Sequence, residues 1–176
     1  AERHLVTLKQ PLTGWMGHAA PFEFTEEYCA GQGIEKLQCG TPPILSLSAL
    51  NGALDAFDGV DMQAVRDKSN ALNSLFKEIV LSSKIARETL TLITPEPLEK
   101  QGSQLSFTHQ HAYPISQALI DAGVIVDFRA PNIVRFGFTP LYLSFADVYR
   151  AAQALVEIIQ QRHYLVPEFN LRSKVT

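Results

Sequence analysis

The hydrophobic pattern of this chain changes its period once, and that change limits the folds available to it. Between residues 61 and 81, apolar or small side chains recur at steps of three and four, which predicts a long amphipathic helix with Asp61 as its N-cap. From residue 89 onward the helical period is lost, and short runs separated by proline and glycine predict strands. The four predicted strands are residues 89–94, 104–108, 124–129 and 133–138.

Three further helices complete the pattern, and their order among the strands indicates the fold class. They are predicted to begin at Thr41, Pro114 and Ser144, with Thr41 as the N-cap of the first. After a loop-rich start, the chain therefore runs helix, helix, strand, strand, helix, strand, strand, helix. We expect an α+β fold, with a largely antiparallel sheet of about three or four strands and helices on one face.

Three parts of the chain are expected to differ in role. Residues 1–40 are punctuated by glycines, and they need another domain or a partner chain to pack against. Residues 41–60 are expected to form a linking helix, and residues 61–176 the small α+β domain. The first residue is Ala1 rather than methionine, so we expect the chain to begin within a longer sequence.

Charge and cysteine content argue against several functional classes. The 15 Lys and Arg residues against 18 Asp and Glu give a net charge of −3. Because there is no basic run, we expect neither nucleic acid nor an anionic membrane as a partner. No apolar run approaches the ~18 residues that a membrane-spanning helix needs. Cys29 and Cys39 form neither a disulfide framework nor a metal pattern, so we expect free thiols in a reducing cytosol.

The first candidate site is the segment Gly14-Trp15-Met16-Gly17-His18, which contains the only tryptophan of the chain. Its glycines would allow a ligand to approach the backbone closely, and the indole N–H of Trp15 is a donor for it. The alternative is structural: Trp15 packs as a local anchor and His18 binds a backbone group. The segment alone leaves both interpretations open.

The second candidate site is Gly40-Thr41-Pro42-Pro43, at a predicted helix start. Helix N-termini attract anions, but the two prolines remove two of the N–H groups that a phosphate would use. An anion would therefore depend on the Thr41 hydroxyl and on the N–H groups of Gly40 and Thr41. The alternative is a helix start that Thr41 caps without any ligand.

The third candidate is Arg135, which lies in an otherwise apolar predicted strand. A guanidinium in such a position either reaches the edge of the sheet and pairs with a carboxylate of the protein, or captures a substrate carboxylate in bidentate fashion. Both interpretations stay open from the sequence.

Histidine and cysteine offer weaker candidates. His109 and His111 have the spacing of a His-x-His metal pair, but no Cys, Asp or Glu stands near enough in sequence to complete a site. We therefore favour exposed or capping histidines. Cys29 and Cys39 have no nearby base, so we do not expect a nucleophilic cysteine.

Taken together, residues 14–18 and 40–43 identify a family that neither segment identifies alone. With these motifs in this order, the chain resembles kynureninase, from the Gly-Trp-x-Gly-His loop to Val175-Thr176. The resemblance covers only the C-terminal part of a family member, well under half of its length. The other matching stretches are residues 39–47 (CGTPPILSL), 102–107 (GSQLSF), 127–131 (DFRAP) and 135–142 (RFGFTPLY).

The resemblance implies a fold, a cofactor and an activity. Kynureninases are cytoplasmic homodimers of fold type I that use pyridoxal 5'-phosphate (PLP). They hydrolyse L-kynurenine to anthranilate and L-alanine, in tryptophan degradation and NAD biosynthesis. This chain would be the small C-terminal domain of such an enzyme, preceded by loops that face the dimer partner. The family's cofactor lysine lies upstream, and none of the seven lysines here stands in a matching motif, so we expect the chain alone to be inactive.

The resemblance also assigns roles residue by residue. Trp15 and Thr41 match residues that contact the cofactor phosphate across the dimer. His18 matches a histidine near the aromatic ring of the substrate, and Arg135 matches the arginine that binds the substrate α-carboxylate. Gly40, followed by Thr41, agrees with the bacterial pattern rather than the Ser-Asn of animal members. This implies a preference for kynurenine over 3-hydroxykynurenine.

The sequence departs from the family pattern at one position, and two alternative functions remain open. Gln101 occupies a position where many members have arginine, so no role of that arginine is carried over. The first alternative is a non-catalytic binding or interaction module derived from the small domain of a PLP enzyme. The second is a metal protein that uses His109 and His111.

Overall fold

The computed structural model describes residues 2–171 and contains two compact units, the first ending at Gly59 and the second beginning at Val60. Lys174, one of the seven lysines, and the pair Val175-Thr176 lie outside the described residues. Within residues 2–171, no helix has both the length and the apolar character that crossing a membrane requires.

The first unit consists mainly of loops, in agreement with its glycine-punctuated sequence. Its α-helices are α1 (Glu2–Leu5) and α2 (Ile44–Leu54). Single 3₁₀ turns form at Trp15–Gly17, Glu35–Leu37 and Asp55–Phe57.

The helix predicted to begin at Thr41 begins instead at Ile44, and the prediction that Thr41 caps it was wrong. Pro43 occupies the N-cap position, and no side chain caps this helix. A residue that precedes proline is disfavoured in helical conformations, and here this applies to both Thr41 and Pro42. The tandem prolines therefore exclude residues 41 and 42 from the helix, which leaves the Thr41 hydroxyl without a capping role.

The second unit is an α+β domain, as predicted. Its helices are α3 (Met62–Ser82), α4 (Lys84–Thr89), α5 (Ala112–Asp121) and α6 (Phe145–Gln161). Its strands are β1 (Thr91–Leu92), β2 (Gln104–Thr108), β3 (Asp127–Arg129) and β4 (Ile133–Gly137). They form one antiparallel sheet in the order β1-β2-β4-β3. Further 3₁₀ turns form at Leu98–Lys100, His163–Leu165 and Pro167–Asn170.

Two of the predicted helix starts are confirmed by their hydrogen bonds. The Asp61 carboxylate accepts from the N–H of Gln63 at 2.9 Å and caps α3. At the start of α6, the Ser144 hydroxyl accepts from the N–H of Asp147 at 3.2 Å, and the Asp147 carboxylate accepts from the N–H of Ser144 at 2.8 Å. This reciprocal pair is a capping box, which fixes where α6 begins.

Two predicted strands are much shorter than their sequence pattern indicated, and a third, predicted at residues 133–138, ends at Gly137. The strand expected at residues 89–94 is reduced to β1, because α4, capped by Ser83, already includes Thr89. The strand expected at residues 124–129 begins only at Asp127. The N–H of Val124 donates to the carbonyl of Leu119 at 2.8 Å, so it closes the end of α5 instead of joining the sheet.

Alternation along β2 and β4 separates a buried face of the sheet from a polar face. Four residues on the first face are almost fully buried: Leu105, Phe107, Val134 and Phe136. The buried side chains of α3, α5 and α6 join the same core, in agreement with the prediction of helices on one face. On the other face, Ser106, Arg135 and Asp127 lie side by side in register across β2, β4 and β3.

Candidate functional site

Close backbone contacts join the two motifs of the first unit. A Cβ atom on Gly14 would lie 1.6 Å from the carbonyl oxygen of Cys39, and one on Gly17 would lie 2.9 Å from that of Gln38. Only glycine permits this approach. The turn that carries Trp15 is therefore packed directly against the segment that leads into Gly40.

The His18 ring ties together the loop that follows this turn. Its Nδ1 accepts from the N–H of Ala20 at 2.9 Å, so Nε2 carries the proton and donates to the carbonyl of Glu27 at 3.2 Å. The hydroxyl of Tyr28 donates to the carbonyl of Gly17 at 2.9 Å. Both ring nitrogens of His18 thus bind loop backbone, as the structural alternative for this residue predicted.

A cavity of about 330 Å³ opens beside this loop, and aromatic side chains form part of its wall. Trp15, Phe24 and Tyr28 line it together with His18. The Phe24 backbone adopts a φ of 49°, a conformation that aromatic residues rarely adopt, and the residue is 84% exposed. The cavity has the size and the aromatic lining that suit a planar ring.

Several hydrogen-bond donors of the two motifs have no partner among residues 2–171. They are the indole N–H of Trp15, the Thr41 hydroxyl and the N–H groups of Gly40 and Thr41. Trp15 is 47% exposed, and Thr41 is exposed as well. Unengaged donors of this kind match the chemistry of a phosphate group, so they fit a phosphorylated cofactor, while the carboxylate of Glu26 lines the cavity together with Trp15.

Arg135 lies in the second unit, on the polar face of the sheet. Its Nε donates to Oδ2 of Asp127 at 2.5 Å, and its Nη2 donates to the same oxygen. The Nε of Arg129 lies 3.2 Å from this oxygen too. The ion pair with a protein carboxylate, one of the two interpretations of Arg135, is therefore present, and the side chain keeps 31% of its surface exposed.

The histidine pair of the second unit forms an aromatic cluster. The rings of His109, His111 and Tyr164 lie with centroids 5.5 to 5.7 Å apart. Nδ1 of His109 accepts from the N–H of His111 at 2.9 Å, which leaves the proton on Nε2 and opposes metal binding there. Among the described residues, no three His, Cys, Asp or Glu side chains group as metal ligands would.

Burial of His109 predicts a pH-dependent stability. Burial lowers the pKa of His109 below its usual range, and nearby His111 lowers it further. In the unfolded chain this histidine has a pKa of about 6.5, so the unfolded chain takes up a proton more readily than the folded chain. The stabilisation is therefore complete above about pH 6.5 and is lost as the pH falls through the lower pKa of the folded state.

We expect His109→Asn to reduce the loss of unfolding free energy at low pH. The amide oxygen retains an acceptor for the N–H of His111, but the amide does not titrate. The measurement is the midpoint of urea unfolding between about pH 7.5 and 5. Replacement of the exposed His163 by Asn is the matched control and should retain the wild-type loss. An unchanged pH profile in His109→Asn would show that another group causes the loss.

Two residues of these sites received no role from the sequence. Tyr28 holds the carbonyl of Gly17, and no local pattern marks a contact of this kind. Asp127 could have been found, because a hairpin turning at Pro131 places it opposite Arg135. Opposite charges at such positions favour one another.

Comparisons with a family profile and with curated proteins both match this chain to kynureninase. A family profile described as kynureninase C-terminal domain matches residues 65–155. A protein named kynureninase from Burkholderia mallei (strain SAVP1) is 45% identical over 175 residues, which are 99% of this chain and 42% of the relative. Another, from Pseudomonas fluorescens, is 46% identical over 167 residues, which are 95% of this chain and 40% of the relative. The chain thus spans about two-fifths of the length of these relatives.

Among solved structures, the apo structure of a cysteine desulfurase from Thermococcus onnurineus NA1 shares the fold. The match has a TM-score of 0.72 and covers 91% of this chain and 42% of that chain. At 18% sequence identity, this likeness concerns the fold alone.

Proposed function

The chain belongs to the kynureninase family, and from that premise we propose that it forms the C-terminal part of an enzyme that hydrolyses L-kynurenine to anthranilate and L-alanine. Its fold is that of the small C-terminal domain of a fold-type-I PLP enzyme. The observation that carries the proposal is the packing of the Trp15 turn against the segment before Gly40, with unengaged donors on both. A phosphate group is the ligand that such donors suit.

PLP is the cofactor that we propose for the full-length enzyme. When bound, it supplies an electron sink for the substrate. The role of this chain is to hold its phosphate through the indole N–H of Trp15 and the hydroxyl of Thr41, across the interface of a homodimer. Because Thr41 does not cap α2, its hydroxyl is free for this contact.

Substrate binding is the second role that we propose for this chain. Arg135 binds the α-carboxylate of L-kynurenine and thereby fixes the reacting end of the substrate. His18 shapes the cavity near the substrate ring while its own nitrogens hold the loop. Gly40 and Thr41 favour kynurenine over 3-hydroxykynurenine, which is cleaved less well.

The test of this function is product analysis with the full-length enzyme. Supplied with PLP and L-kynurenine, it is expected to release fluorescent anthranilate and L-alanine in equal amounts. With 3-hydroxykynurenine, we expect a lower kcat/KM. Intact kynurenine after prolonged incubation with folded, PLP-loaded enzyme would refute the proposed activity.

The cofactor lysine is proposed to lie in the part of the enzyme that this chain does not include. We therefore expect PLP and borohydride to leave the isolated chain without a stable adduct at any one lysine. The measurement is peptide mass spectrometry after gel filtration. Stoichiometric labelling of a single lysine would show that the chain carries its own cofactor-binding lysine.

The homodimer is proposed from the apolar surface of the first unit. Every residue of α2 is exposed, including Leu45 at 88% and Leu50 at 55%. The aromatic rings of Phe22 and Phe24 are exposed as well. Exposed large apolar side chains in such number are normally covered by another domain or chain.

We expect the chain to self-associate through α2, and Leu45→Glu combined with Leu50→Glu to shift it to monomer. Sedimentation velocity measures the change, which should exceed about tenfold in the dissociation constant because each apolar side chain loses about 1.5–3 kcal/mol of burial. The control is Val6→Glu, which alters an equally exposed residue outside α2. A wild-type chain that stays monomeric at high concentration would exclude this interface.

A further inference from the structure

The ion pair of Arg135 uses only one side of its guanidinium. Nε and Nη2 form the side edge of the group, and both donate to Oδ2 of Asp127. Nη1 has no protein acceptor among residues 2–171, so the end formed by the two Nη atoms can still bind a second carboxylate. An arginine can bind carboxylates in two directions at once, which lysine cannot do.

The charges around Asp127 favour such a second anion. Arg129 also approaches Oδ2 of Asp127, so two guanidinium groups share one carboxylate. The three side chains together carry one surplus positive charge. The face is only partly exposed at Arg135, at 31%, so solvent screens this charge less than at an open surface.

The backbone holds this arrangement in place. Asp127 pairs directly with Arg135 across β3 and β4, and Ser106 flanks Arg135 on β2. The carboxylate is therefore fixed to one side of the guanidinium by the register of the sheet. A flexible surface pair would have no such constraint.

We propose that Asp127 is a positioning residue for substrate binding: it binds the Nε and Nη2 edge of Arg135 and thereby directs the two Nη atoms toward the α-carboxylate of an amino-acid substrate. This inference rests on the proposed function, since it assumes that Arg135 binds that carboxylate. It adds a residue to which neither the sequence nor the comparisons assign a role.

The test is steady-state kinetics of the full-length enzyme with Asp127→Asn, which keeps the shape of the side chain and removes its charge. We expect KM for L-kynurenine to rise about tenfold with kcat within about twofold, since misplacement of a binding group by about 1 Å has effects of this size or larger. Competitive inhibition by L-kynurenine amide, which lacks the carboxylate charge, should not change. Glu96→Gln, which removes the exposed ion pair with Lys77, is the control and should keep wild-type KM.

Other outcomes would overturn the inference. A KM unchanged in Asp127→Asn, with a lower unfolding temperature, would mean that the pair is only structural. A KM that falls would mean that Asp127 competes with the substrate. If Asp127→Asn does not fold, Asp127→Glu takes its place with an expected rise of about threefold in KM, and no rise would be decisive against the proposal. Failure of the proposed function is distinct, because the wild-type enzyme would then release no anthranilate.

Discussion

Arg135→Lys in the full-length enzyme is expected to lower kcat/KM for L-kynurenine at least about tenfold. Lysine replaces a planar fork of donors by a single point charge, so it cannot bind Asp127 and a substrate carboxylate in two directions. A lost charge-assisted contact of this kind costs about 2–4 kcal/mol, or roughly 30- to 1000-fold, of which lysine recovers a part. PLP content should stay near normal, because we propose that the phosphate is bound by Trp15 and Thr41 and not by Arg135.

The matched control for this variant is Arg150→Lys. Arg150 makes the same kind of ion pair, with Asp147 at 2.5 Å, on the exposed surface of α6. Exposed pairs of this kind contribute little, so turnover should not change. Normal turnover by Arg135→Lys, or loss of its fold, would mean that the pair with Asp127 is the whole function of Arg135.

Gly14→Ala is expected to cause the largest loss of cofactor binding in the first unit. The added Cβ would lie 1.6 Å from the carbonyl oxygen of Cys39, so one backbone segment has to move. Overpacking costs about 1–3 kcal/mol in ordinary cores and more when backbone is the obstacle. Because the displaced segments carry Trp15 and Thr41, we expect PLP affinity to fall more than about 100-fold, measured by equilibrium dialysis with the full-length enzyme.

A matched glycine distinguishes this clash from a general effect of alanine. Gly102 lies before β2 in the second unit, and a Cβ there meets no atom within 4 Å, so Gly102→Ala should leave PLP affinity unchanged. In the isolated chain, the fluorescence of Trp15, its only tryptophan, reports the same displacement. Wild-type emission and wild-type affinity in Gly14→Ala would show that the two segments are not held as described.

Local signals predicted most of the fold of the second unit. The cap at Asp61 and the capping box at Ser144 and Asp147 identified α3 and α6, because these contacts lie within one turn of the chain. The helix start at Thr41 was wrong for a local reason that outweighed capping preference: each of the residues 41 and 42 precedes a proline. The missed helix α4 and the shortened β1 follow from the cap at Ser83, which the strand pattern concealed.

The candidate site was predicted less completely, because it depends on contacts between distant parts of the chain. The sequence marked Trp15 and Thr41 as separate candidates, and the resemblance linked them. Their actual connection is the contact between Gly14 and Cys39, which no periodicity encodes. Arg135 was left with two interpretations, and the structure contains its pair with Asp127 while one end of the guanidinium stays free.

The most direct measurement compares the affinity of the full-length enzyme for PLP with its affinity for pyridoxal, which lacks the phosphate. If Trp15 and Thr41 bind the phosphate, Trp15→Phe and Thr41→Val should each weaken PLP binding at least about tenfold, since each removes a hydrogen bond to a charged group. Both variants should bind pyridoxal as the wild type does. Equal losses of affinity for both ligands, or no loss of affinity for PLP, would contradict the proposal that this chain binds the cofactor phosphate.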